Sequence, residues 1–132
     1  MKVNSGKGSI LIIDDEEVIR QVAGDMLEYV GYAIDFAEDG SEAIEKYKAA
    51  FESGRSFDVV IMDLTIPGGM GGKEAIKRLI EIDPNVKAIV SSGYSNDPLM
   101  SEFRKCGFAG VVLKPYQIAE LSEQVSKVLQ ET

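Results

Sequence analysis

Five short runs rich in aliphatic and β-branched residues recur along the chain: Ser9–Ile13, Ala33–Ala37, Asp58–Met62, Lys87–Ser91 and Gly110–Leu113. Between them, apolar residues fall at helical spacing. Val18, Ile19, Val22, Met26, Leu27 and Val30 make the first stripe. Ile44, Tyr47 and Phe51 make the second, behind an Asp39-x-x-Glu42 pattern with the form of a capping box. Ile76, Leu79 and Ile80 stop before Pro84, and Leu99, Met100 and Phe103 stop at Gly107. Ile118, Leu121, Val125, Val128 and Leu129 form the last stripe. The predicted order is strand then helix, five times.

Strands joined by helices must lie parallel, and a continuous apolar run such as Val59-Val60-Ile61-Met62 suits a strand covered on both faces. Right-handed crossovers then predict an open α/β fold of flavodoxin-like (βα)5 type. Its doubly wound, five-stranded sheet would have the order 2-1-3-4-5. The switch point lies between strands 1 and 3, so ligands are expected beyond the carboxyl ends of those strands. Residues 1–8 are polar and read as a flexible tail or linker, leaving 9–130 as the domain.

Composition narrows the chemistry. At 132 residues and 14.4 kDa there is room for one domain. Lys plus Arg number 14 against 22 Asp plus Glu, a formal charge of −8. With no basic stripe, direct nucleic-acid binding is not expected. The longest apolar runs, Ile10–Ile13 and Val59–Met62, are too short to cross a membrane. The N-terminus also lacks the apolar stretch of a signal peptide. One cysteine, Cys106, excludes an intramolecular disulfide and fits a reducing cytoplasm. The chain has no histidine, which removes Ser-His-Asp and Cys-His mechanisms and the usual zinc sites. What remains is carboxylates, hydroxyls, lysines and a hard metal.

Those groups collect at predicted strand ends. Strand 1 runs into Asp14-Asp15, strand 3 into Asp63, strand 4 into Ser91-Ser92 and strand 5 into Lys114-Pro115. Three acids at a switch point repel one another unless a cation joins them. Mg²⁺ suits carboxylate oxygens and keeps waters that a phosphate can displace, with Mn²⁺ as an alternative. Each residue also has a plainer reading: Asp14 with Glu17 as a capping box, Asp63 and Ser91 as turn residues, Lys114 as a surface lysine. Their coincidence at four strand ends favours the site. Gly68-Gly69-Met70-Gly71-Gly72-Lys73-Glu74 imitates a P-loop, but Pro67 and Glu74 stand where glycine and Ser/Thr are needed. Asp14-Asp15-Glu16-Glu17 likewise excludes a flavin phosphate loop after strand 1.

Ile12-Ile13-Asp14-Asp15-Glu16, Met62-Asp63-Leu64-Thr65-Ile66-Pro67, Ser91-Ser92-Gly93 and Leu113-Lys114-Pro115 together resemble the response-regulator receiver domain of bacterial two-component signalling. The resemblance spans Ser9 to Leu129. It implies that a phosphohistidine on a histidine kinase or histidine phosphotransfer domain donates to Asp63. Asp15, Asp63 and the Thr65 backbone carbonyl would ligate Mg²⁺, with Asp14 acting largely through metal-bound water. Ser91 would contact the phosphoryl group and Lys114 would pair with it, and Lys114–Pro115 would be cis. Such a chain is a self-phosphorylating acceptor rather than a turnover enzyme. A homodimer through helix 4, strand 5 and helix 5 is a further arrangement the family implies.

Three departures stand out. The strand-3 loop carries one glycine more than the usual Pro-x-Met-x-Gly, Ser92 replaces a usual Ala or Gly, and Val111 replaces an aromatic. The length leaves no room for an effector domain. The expectation is a free-standing phosphorelay protein or, from the Gly-rich loop and Ser91-Ser92-Gly93-Tyr94-Ser95, a receiver belonging to a hybrid sensor histidine kinase. The rivals are a Mg²⁺-dependent phosphohydrolase, which lacks its Asp-x-Asp here, and a receiver-like module that is never phosphorylated.

Overall fold

The computed structural model describes residues 8–63, 71–93 and 99–130. The elements are β1 (Ser9–Ile13), α1 (Glu17–Tyr29), β2 (Ala33–Ala37), α2 (Gly40–Glu52), β3 (Val59–Asp63), α3 (Gly72–Ile82), β4 (Ala88–Ser92), α4 (Leu99–Cys106), β5 (Gly110–Leu113) and α5 (Ile118–Gln130). All four strand pairings are parallel, in the order β2-β1-β3-β4-β5. β3 and β4 each sit one residue later than the hydrophobic pattern predicts. The shift has a cause: Asp63 pairs in register with Ser91, and backbone pairing carries both strands past their last apolar residue.

Alternation along the strands builds two cores. Leu11, Ile13, Val60, Met62, Ala88 and Val90 point to the side covered by α2 and α3, with Phe103 of α4 packed against them. Ile10, Ile12, Val59, Ile61, Ile89 and Val112 point to the side covered by α1 and α5. A strand buried on both faces has no polar position to spare until it ends, which is why the acids appear only at the strand ends.

The helices bury narrower faces than their stripes suggest. α1 buries Ala23, Gly24 and Leu27, whereas Val18 is 74% and Val22 42% exposed. The Phe36 ring on β2 occupies the space above Gly24, where a Cβ would come within 2.7 Å of it. α2 starts as expected, with Asp39 accepting from the Glu42 amide at 2.9 Å, but Glu42 accepts in return from Glu38, one residue before the cap. The Asp14–Glu17 capping box does not form. Glu16 occupies the N-cap of α1, and no side chain caps that helix.

Candidate functional site

Asp14, Asp15 and Asp63 come together at the carboxyl edge of β1 and β3, each offering an oxygen within 4.8 Å of the others. Asp14 and Asp63 are buried and Asp15 is exposed. Their convergence needs an explanation, because consecutive residues of an extended strand project to opposite sides. The backbone bends as it leaves β1. The Asp14 amide still joins the ladder, donating to Ala37 O at 3.2 Å. Asp14 Oδ1 then accepts from the Glu16 amide at 2.9 Å, closing a tight turn. From α1, Arg20 Nη1 donates to the Asp14 carbonyl at 2.5 Å.

Lys114 enters from the end of β5, with its amide tied to Ser92 O at 2.8 Å. The Lys114–Pro115 bond is cis, as the resemblance implies. Its ammonium donates to Asp14 Oδ2 at 2.7 Å and to Asp63 Oδ2 at 2.8 Å, bridging two strand ends. Burial alone would lower the pKa of this lysine. The two carboxylates outweigh that effect and hold the ammonium well above the usual lysine range.

Ser91 lies beside Asp63 in register and is fully buried. Its Oγ makes no hydrogen bond of good geometry, and buried hydroxyls rarely go unpaired. The nearby Tyr116 phenol is raised by burial and pulled back by the Ser91 hydroxyl and by Lys114, which puts it at the edge of the same site. Ser92 is buried next door, and Val111 is half-buried against the α2–α3 core. Thr65, Gly68 and Gly69 lie outside the described residues, as does Tyr94, whereas Gly71 is the N-cap of α3 and Gly72 its first residue.

Every predicted site residue within the described chain therefore meets at one edge. A cluster of carboxylates beside a buried, unpaired hydroxyl fits a hard divalent cation with an oxyanion next to it. Arg20 and Tyr116 were not foreseen. Arg20 could have been flagged as a cation one turn into a helix, where the dipole disfavours it. Tyr116 follows Lys114-Pro115 directly, and no spacing rule points it toward Ser91.

A family model for the response regulator receiver domain matches residues 10–126. The chemotaxis protein CheY of Thermotoga maritima is 37% identical over 90% of this chain and 95% of its own length. The sensor kinase CckA of Brucella abortus is 29% identical over 96% of this chain, which corresponds to 13% of that larger protein. Among solved structures, a CheX–CheY–BeF3–Mg²⁺ complex from Borrelia burgdorferi superposes with a TM-score of 0.84 at 27% identity, covering 94% of this chain and 90% of that one. Fold, site and matches agree: the chain belongs to the response regulator receiver domains, the Mg²⁺-binding phosphoryl acceptors of two-component signalling.

Proposed function

We propose that Asp63 is the phosphoryl acceptor and that a phosphohistidine is the donor. The single observation that carries this reading is the Lys114 ammonium bridging Asp14 and Asp63 beside the unpaired Ser91 hydroxyl. Asp63 alone among the three acids lies on the central strand and has both the Lys114 ammonium and the Ser91 hydroxyl beside it.

A carboxylate is a weak nucleophile, so the work is positioning and charge neutralisation. An Asp63 oxygen attacks phosphorus as the donor's N–P bond breaks. Negative charge spreads over the phosphoryl oxygens as it does so. Lys114, already on Asp63, follows those oxygens, and the Ser91 hydroxyl donates to one of them. Asp15 and Asp63 would hold Mg²⁺ directly and Asp14 through water. The bound ion supplies two positive charges next to the group in transfer. The related CheY complex with BeF3, a group of phosphoryl shape, and Mg²⁺ supports this assignment. With no histidine, the chain can receive from phosphohistidine but cannot itself be the donor.

The donor's docking face is α1. Among the described residues, Val18, Val22 and Tyr29 are three of the four exposed large apolar side chains, and all lie on this helix. A hollow of about 150 Å³ between Val18, Ile19 and Val22 and Lys114, Pro115 and Tyr116 continues the patch to the site.

The test is intact mass after incubation with a small phosphodonor and Mg²⁺. One phosphoryl group is expected on the wild type and none on Asp63→Asn. Equal labelling of the variant would refute the assignment, and repeated turnover of a phosphate ester would favour a hydrolase instead.

A further inference from the structure

The convergence of Asp14 and Asp15 depends on the bend that follows β1, and that bend has an outside support. The Arg20 side chain curls back six residues to the Asp14 carbonyl, at 2.5 Å. Its side chain is only 11% exposed. Near a helix N-terminus a buried cation works against the helix dipole, so the placement costs α1 local stability. Nor does an ion pair account for it. Among the described residues its ion-pair partner is Glu38, at 3.9 Å and 75% exposed, a geometry that contributes little. What Arg20 does make is a charge-assisted hydrogen bond to the carbonyl between the two acids.

We propose that Arg20 is a positioning residue of the cation site, fixing the Asp14 carbonyl and so the turn that brings the Asp14 and Asp15 carboxylates together. The proposal rests on the reading of these acids as the Mg²⁺ site. Asp14 is held at four points: its amide by Ala37, Oδ1 by Glu16, Oδ2 by Lys114, and its carbonyl by Arg20. The Glu16 contact closes the turn around the peptide unit that leads into Asp15, and the Arg20 contact alone holds the carbonyl of that unit directly. Asp15 is exposed, with no packing of its own to set its direction. The turn therefore supplies that direction.

The effect has a sign that separates positioning from simple charge. A cation that acted only as a neighbouring charge would repel Mg²⁺, and its removal would tighten binding. A positioning residue has the opposite effect, because supporting groups around metal ligands typically matter by tenfold or more. Mg²⁺ affinity measured by calorimetry on the purified chain decides between them. Arg20→Met keeps the aliphatic stem and loses the donors, and should weaken Mg²⁺ binding about tenfold. Arg20→Lys, which can still donate to the carbonyl, should recover most of the loss. Glu38→Gln should bind as the wild type does. The Mg²⁺ concentration needed for half-maximal labelling by a small phosphodonor should rise in step, while the rate at saturating Mg²⁺ holds. Should Arg20→Met fail to fold, Arg20→Gln carries the same expectation. Binding as tight as, or tighter than, wild type in the neutral variant would overturn the proposal, as would an equal loss in Glu38→Gln. A wild-type chain that binds no Mg²⁺ would instead overturn the site reading beneath it.

Discussion

Ser91 and Asp63 face one another in register, yet they are in opposite situations. Asp63 is paired with Lys114, while the Ser91 hydroxyl is buried and unpaired. A buried hydroxyl whose one neighbouring polar partner is the poorly aligned Tyr116 phenol gains the resting protein little, so its removal should be nearly neutral for stability while its role with phosphate is lost. Ser91→Ala is expected to unfold in urea within about 1 kcal/mol of the wild type. The same variant should retain its phosphoryl group poorly after labelling. A large loss of stability with normal labelling would show that Ser91 is a packing residue. Lys114 differs, because without it two buried carboxylates would face each other uncompensated.

At the scale of elements, the clearest side-chain tie lies on the far side of the sheet from α1. Tyr47 on α2 donates to Asp83 Oδ2 at 2.7 Å, just past the end of α3. Burial pushes the Tyr47 phenol far above the tyrosine range; Ser56 pulls it back and Asp83 adds to the rise. A group whose pKa is raised on folding stabilises fully below its unfolded value of about 10, and that contribution is lost as pH climbs toward the folded value. Tyr47→Phe should therefore cost about 1.5 kcal/mol at neutral pH. It should also flatten the fall in stability that the wild type shows above about pH 10, with Tyr32, Tyr116 and Lys114 supplying what remains. Denaturant melts across that range check both. The strands and their acid-bearing ends were legible because continuous apolar runs and the Asp, Ser and Lys that follow them are local signals, and the order followed from parallel right-handed crossovers. Helical spacing placed α1 but carried no sign that Val18 and Val22 face solvent, because periodicity reports a face and not what covers it. Tyr47–Asp83 was invisible for another reason: it joins positions 36 residues apart whose meeting depends on where whole elements land.

For the molecule as a whole, the cation site is a folding contact between strand ends that are remote in sequence. Mg²⁺ that binds only the assembled site should raise the melting temperature, by roughly 8 °C at about a hundredfold excess over its dissociation constant. A melting temperature indifferent to Mg²⁺ would show that the acids do not act together. The Lys114 bridge has one more consequence, which concerns valence. Formally, one ammonium against three carboxylates leaves two negative charges unbalanced. A single divalent ion brings the site to neutrality, and only then does an incoming phosphoryl dianion meet no net repulsion. A monovalent ion leaves a residual negative charge. A trivalent ion overshoots and would grip the phosphoryl group after transfer. By contributing one positive charge of its own, the lysine sets the charge the site requires from solution at two.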